Sequence, residues 1–321
     1  MLGIHGSDHP MQRILLPLAL LLSAPTLAAR WGSPEVVGLV TDKAMDEISG
    51  LAASRAHPGN YWAINDSGNT AQLHLMDGTG QHQGSVDVIG AKNVDWEDLA
   101  TFEIDGRHYL LIADTGDNGG IRQDLALHVF EEPSDLALPA TLAWTVRFRW
   151  PDGPRDCEAA AVDPVRGEVL LVSKKRVPAE LFRVPLARSG EEHVAEKIGT
   201  LAGIDQPDAG DLARSPLYGR YRAQVTSADL SPNGRVLAVL NYRSIHFLVR
   251  ARGADWHSAL ESELPHLDLP WIPQAEAIAF SLDGQEIRVA SEQLPSPLVR
   301  FRIENSTKPL IEKASPPSRP D

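Results

Sequence analysis

Asp95-Trp-Glu-Asp-Leu-Ala100 is one of five related phrases in this 321-residue chain, and their spacing decides the fold. The others are Glu47-Ile-Ser-Gly-Leu-Ala52, Asp156-Cys-Glu-Ala-Ala-Ala-Val-Asp-Pro164, Thr226-Ser-Ala-Asp-Leu-Ser-Pro232 and Gln274-Ala-Glu-Ala-Ile-Ala-Phe-Ser281. Each places an oxygen-bearing residue just before a short run of small apolar residues. Roughly 45 to 70 residues rich in strand and turn signals separate the copies, the period of propeller blades.

The second repeat shows the plan. Glu97–Glu103 reads as an inner strand, followed by Tyr109–Ala113, Ala126–Phe130 and an outer Thr145–Arg149. The third repeats it with Glu158–Val162, Val169–Val172, Glu180–Val184 and Glu196–Leu201. Asp105-Gly, Arg166-Gly, Asn233-Gly and Asp283-Gly stand where hairpins need positive φ. The fifth repeat runs out after three strands, and Glu35–Val40 supplies a spare one. Pairing it as the outer strand of the last blade closes the ring and removes two open sheet edges. The expected fold is all-β: a five-bladed β-propeller over residues 30–305, closed by the N-terminal strand. A six-bladed ring is the alternative, set aside because Ala202–Tyr221 reads as a long polar loop. Two β-sandwiches would give similar strands but would not explain the fivefold phrase.

Residues 1–29 read as a secretory leader, with basic Met11-Gln-Arg13, apolar Ile14–Leu22 and small residues up to Ala29. Met1–Pro10 lies upstream of a better start at Met11. The Pro-, Ser- and Lys-rich stretch 306–321 reads as a disordered tail. The expected location is periplasmic or secreted, and the expected state a monomer without a membrane span. A formal charge of −13 disfavours nucleic acid as a partner. Cys157 is the only cysteine, so no intrachain disulfide supports the fold. Trp62, Trp96 and Cys157 read as blade packing.

Aligning the phrases on their apolar pairs equates Ser49, Glu97, Glu158, Thr226 and Glu276, with Glu47 two positions off register. Three carboxylates on one axis repel by roughly 3 kcal/mol per pair at ~5 Å and an effective dielectric near 20. They must bind a cation, take up protons or face solvent; capping blade edges is the structural alternative. Oxygen ligands without His or Cys select a hard ion, and an open ring suits Ca²⁺. The second set of loops on the same face carries Asp66, Asp114 and Asp117 on one side and Lys174, Lys175, Arg176 and Arg243 on the other. Arg122 adds to the basic side. The acids are candidates for water activation and the bases for an anionic small-molecule substrate such as a phosphate ester. A protein ligand is the alternative partner. The acidic loops are also good turn formers in their own right. No Gly-x-Ser-x-Gly elbow or Walker loop occurs.

The phrases Glu47-Ile-Ser-Gly-Leu-Ala, Trp62-Ala-Ile-Asn-Asp-Ser-Gly, Asp95-Trp-Glu-Asp-Leu-Ala and Ala113-Asp-Thr-Gly-Asp-Asn resemble exported propellers described as phytase-like or esterase-like. A more distant likeness is to the calcium-activated nucleotidases of the apyrase type. That family is five-bladed, with a channel calcium ringed by Glu from three blades and Ser from two. The resemblance implies Glu97, Glu158 and Glu276 in the glutamate places and Ser49 and Thr226 in the serine places, with Lys174 to Arg176 where the family has a basic pair. The chain departs from the family in lacking its long second-blade insertion and in carrying Ser67 in place of an Arg. The likeness therefore bears on fold and ion more than on nucleotide hydrolysis.

Overall fold

The computed structural model describes residues 31–260 and 264–304; the leader and the 306–321 tail lie outside them. Their strands run in chain order as β1 (Glu35–Val40), β2 (Ile48–Ala53), β3 (Asn60–Asn65), β4 (Gln72–Asp77), β5 (His82–Ile89), β6 (Trp96–Ile104), β7 (Arg107–Asp114), β8 (Leu125–Glu131), β9 (Ala140–Arg149), β10 (Cys157–Asp163), β11 (Glu168–Ser173), β12 (Ala179–Pro185), β13 (Glu192–Val194), β14 (Glu196–Leu201), β15 (Val225–Leu230), β16 (Val236–Asn241), β17 (Ser244–Val249), β18 (His266–Asp268), β19 (Ala275–Phe280), β20 (Glu286–Ser291) and β21 (Ser296–Arg302). The protein is an all-β propeller with almost no helix.

Antiparallel meanders β10-β11-β12-β14 and β15-β16-β17-β18 are separate sheets, and β1-β21-β20-β19 is a third. Meanders β2–β5 and β6–β9 merge into one larger sheet because their outer strands pair in parallel, Val88 opposite Ala140 and Ile89 opposite Thr141. The spare N-terminal strand pairs with β21, from Glu35 opposite Arg300 to Val40 opposite Ser296. The innermost strands pack side by side in a closed circuit, β2 on β6, β6 on β10, β10 on β15, β15 on β19 and β19 on β2.

That crowding explains the alanines. Ala52, Ala100, Ala159, Ala161, Ala228 and Ala277 are all buried. A Cβ on Gly50 would stand 2.6 Å from the Leu99 nitrogen, so only glycine lets β2 approach β6 this closely. The four glycine turns all close the hairpin between a first and a second strand. Asp105 and Gly106 both have positive φ, 52° and 74°, as a two-residue hairpin demands. Trp62 and Trp96 are fully buried between the first two meanders. Cys157 is buried in the core between the second and third, and burial pushes its thiol up to about 12.

Two features differ from the sequence expectation. The 202–221 stretch is not plain loop: it holds helix α1 (Ala209–Arg214), capped reciprocally by Asp208 and Asp211. The outer strand of the fourth meander is only the three-residue β18, too short to stand out as a strand in sequence. No described helix is long and apolar enough to cross a membrane.

Candidate functional site

A β-bulge recurs at the same place in every inner strand. Pairing with the second strand skips one residue between Ile48 and Gly50, Trp96 and Asp98, Cys157 and Ala159, Val225 and Ser227, and Ala275 and Ala277. The skipped residues are Ser49, Glu97, Glu158, Thr226 and Glu276, the set equated by aligning the five phrases. A bulge leaves its extra residue outside the ladder and re-aims its side chain. Five bulges in register deliver these side chains to one end of the inner strands.

Hydroxyls tie that end together. Ser49 donates to the Trp96 carbonyl and Thr226 to the Ala275 carbonyl, each at 2.8 Å. Thr115, at the end of the second meander's β7, donates to the Cys157 carbonyl at 2.8 Å. Each acceptor is the residue just before a bulged glutamate. Ser49 and Thr226 thus fasten neighbouring strands with their protons and keep only lone pairs for any ion.

Glu97 and Glu158 are buried and Glu276 partly so, and burial raises all three carboxyls above the usual range. Glu97 is raised further by Glu158, Asp66 and Asp95. Lys174 opposes the rise at Glu158 and Glu276. Its ammonium forms a direct ion pair with Glu158 and lies 5.7 Å from the centre of the Tyr242 ring. Burial works against that charge, but Glu158, Tyr242 and Glu276 outweigh it and hold Lys174 above its ordinary range. Tyr242 donates its hydroxyl to Glu276 at 2.7 Å. Glu292 completes this side, raised to about 7 by burial and by Glu276, Asp66 and Glu47.

Glu47 does not replace Ser49 in the ring. It bridges to Gln293 across the seam between first and last meanders, and its carboxylate accepts from Asn69 at 2.5 Å.

The loop acids divide. Asp66 is half-buried beside Asp95, and burial raises both carboxyls. Asp114 is instead held by Arg122 at 2.9 Å, with His128 at 3.7 Å and the Asp95 amide at 3.2 Å. Asp117 accepts from the Ile121 and Arg122 amides at 2.8 and 3.0 Å, a loop-closing role. Asp117 is engaged on both carboxylate oxygens, and Asp114 carries Arg122 and the Asp95 amide on one of its own. Arg122 is likewise committed to Asp114 and to the Gly116 carbonyl.

The basic residues do not form one cluster. Lys175 lies 2.8 Å from Asp156 and donates to Asn118 at 2.7 Å. Arg176 is half-exposed and loosely paired with Glu180 at 3.9 Å. Arg243 is drawn 3.4 Å from buried Asp211, which Arg214 and Arg222 also hold at 2.8 and 2.9 Å. This four-residue knot ties Arg243 to α1. Lys175 and Arg176 do share a groove with the Asp117–Gly120 loop and Asp156.

Sequence reasoning missed two residues. Asp98, fully buried, accepts from the amides of Leu99, Ala160 and Ala228 and from the Ser227 hydroxyl, at 2.8 to 2.9 Å. It ties β6 to β10 and to non-adjacent β15, closing the axis behind the ring. Asp95 stood at the head of its phrase but was not singled out. One carboxylate oxygen from each of Asp66, Asp95 and Glu97 lies within 4.8 Å of the other two, and the same holds for Glu97, Asp156 and Glu158.

No known family profile and no curated protein matches the chain. Among solved structures it is similar to a PQQ-bound aldose sugar dehydrogenase from Streptomyces coelicolor, at 10% identity and TM-score 0.45, covering 85% of this chain and 98% of that one. It is also similar to the glutaminyl cyclase of Myxococcus xanthus, at 12% identity and TM-score 0.48, covering 85% and 97%.

Proposed function

We propose that the chain is a five-bladed propeller that binds a calcium ion among the acids at the bulged end of its inner strands, and that it hydrolyses phosphate esters or anhydrides there. The observation that carries this reading is the bulge at every ring position, which puts buried Glu97 and Glu158 and partly buried Glu276, from distant stretches of chain, at the same place in their strands. Only oxygen ligands are on offer there, the donor set of a hard cation. When bound, such an ion would neutralise a phosphoryl oxygen and lower the pKa of a water.

The chain's own residues support the rest. Asp66, like Asp117, forms no ion pair among the described residues, and burial raises its carboxyl, the direction that favours proton acceptance. Lys174, held on Glu158, would present its ammonium to the substrate's anionic oxygens. Lys175 and Arg176 line the adjoining groove, where an anionic leaving group would lie.

Assay with nucleoside di- and triphosphates, phytate and p-nitrophenyl phosphate, with and without chelator, tests the proposal. Chelator-sensitive turnover on at least one is expected; none on any of them removes the hydrolase reading. A non-catalytic binding propeller is the second reading, favoured by the engagement of Asp114, Asp117 and Arg243 in structural pairs. It expects calcium to raise the melting temperature while Asp66→Asn leaves every activity unchanged.

A further inference from the structure

The carboxylates at this end can be sorted by what already neutralises them. Glu158 is paired with Lys174, and Glu276 accepts the Tyr242 hydroxyl close to the same ammonium. Asp156 has Lys175 on one oxygen and the Asp117 amide on the other. Asp114 has Arg122. Glu47 accepts from the Asn69 amide and Glu292 from the Gln274 amide. Asp66, Asp95 and Glu97 remain, and no described residue forms an ion pair with any of them. Glu97 goes further. It is 6% exposed, yet its carboxylate accepts no hydrogen bond from any described residue. A carboxylate so placed, with no donor on it and the Lys174 ammonium acting only from a distance, is open to protonation or to a cation from outside the chain. Glu97 stands within 4.8 Å of Asp66 and Asp95 and, equally, of Asp156 and Glu158, but the latter two already hold Lys175 and Lys174. The backbone respects the same space: a Cβ on Gly116 would stand 2.1 Å from Glu97 Oε1 and 2.5 Å from Asp95 Oδ2.

We infer that the cation seat lies off the axis, over the seam between the first two meanders, and is built by Asp66, Asp95 and Glu97, with Lys174 as the fixed cation of the axial ring. Ligands about 2.4 Å from one calcium ion stand at most about 4.8 Å apart, and these three oxygens meet that limit. Three carboxylates against one dication leave a single negative charge, whereas the axial position would set the dication against the Lys174 ammonium. Asp66 becomes a ligand, and Asp95, absent from the aligned ring, becomes a binding residue. The inference rests on the proposed cation dependence but assigns a different seat from the axial one.

The test is calorimetric titration of chelator-stripped full-length protein with Ca²⁺. Asp95→Asn and Asp66→Asn are expected to weaken binding at least 100-fold, with circular dichroism and unfolding cooperativity retained. Glu276→Gln, on the axial side, is expected to stay within about threefold of the parent. The reverse pattern, with Glu276→Gln abolishing binding and Asp95→Asn sparing it, overturns the off-axis seat and keeps the axial one. Binding without turnover on any phosphate substrate sinks the hydrolase reading alone. No calcium binding by the parent protein overturns both.

Discussion

Buried histidines set one part of the acid stability of this protein. His246 is 3% exposed, and burial together with neighbouring His266 holds it down at about 4; His74 is lowered to about 4 by burial and by His82. Each is bound neutral, through Ser244 for His246 at 2.9 Å and Ser85 for His74 at 2.8 Å. A base whose folded pKa is depressed contributes stability that is full above its unfolded pKa near 6.5 and is lost as pH falls toward 4. Asp229 runs the other way: burial raises it to about 7, so its contribution is full below about 3.8 and is lost as pH climbs to 7. The two slopes oppose, and a variant separates them. His246→Leu removes one histidine term, so the parent is expected to lose about 2 kcal/mol more than the variant between pH 7 and pH 4.5. Urea midpoints at the two pH values measure it; parallel losses would show that His246 does not titrate across folding.

At the scale of the element, the bulge is the device that turns a repeat in sequence into a site. Without it, alternation along β6 would direct Glu97 and Asp98 to opposite faces; with it, Glu97 reaches the mouth and Asp98 takes the amides behind it. The loop following β7 must leave room for this, and Gly116 does. Its φ lies outside the left-handed region, so alanine meets no backbone objection, only a collision with the Glu97 and Asp95 carboxylates. Gly116→Ala is expected to cost about 1–3 kcal/mol and to weaken calcium binding more than tenfold. Gly120→Ala in the same loop has open space but a φ of +64°, so it should cost about 1 kcal/mol and leave binding intact. Equal effects on binding would mean that the loop acts only through its general order. The ring register was legible in sequence because the same small-residue pattern must be repeated wherever inner strands crowd. What surrounds the ring was less legible. The hold of Asp211 on Arg243 joins residues 32 positions apart, and no local pattern announces it. Lys174 reads as one of three adjacent cations, and only the fold places it on Glu158 while leaving Arg176 outside. Asp98 is buried like its neighbours, and only the fold shows it accepting amides from β10 and β15.

At the scale of the molecule, closure depends on a strand whose partner lies at the other end of the chain. β1 hydrogen-bonds along β21, Glu35 pairs with Arg300, and Trp31 stacks on Phe247 at 6.0 Å between ring centres. The same strand also faces the first meander. A Cβ on Gly38 would stand 1.9 Å from the Thr79 carbonyl oxygen and 2.7 Å from its carbon. These are backbone atoms of a tight turn between β4 and β5, unable to swing aside as a side-chain tip could. Gly38→Val therefore forces a choice between moving the turn and detaching the strand. Detachment leaves the β21 edge unpaired and uncovers Val40, which is fully buried. The expected cost is about 2–4 kcal/mol, seen as a melting temperature lowered by roughly 5–10 °C. Gly78→Ala in the neighbouring turn, whose nearest atom would be 3.5 Å away, should change little. Limited proteolysis distinguishes closure from general packing. If the strand is the clasp, Gly38→Val should admit cleavage between residues 33 and 42 well below the global unfolding temperature, and the parent should not. A variant that melts early but resists cleavage there until it unfolds would show that the ring stays shut without the clasp, and the stability of the fold would then have to come from contacts among the meanders alone.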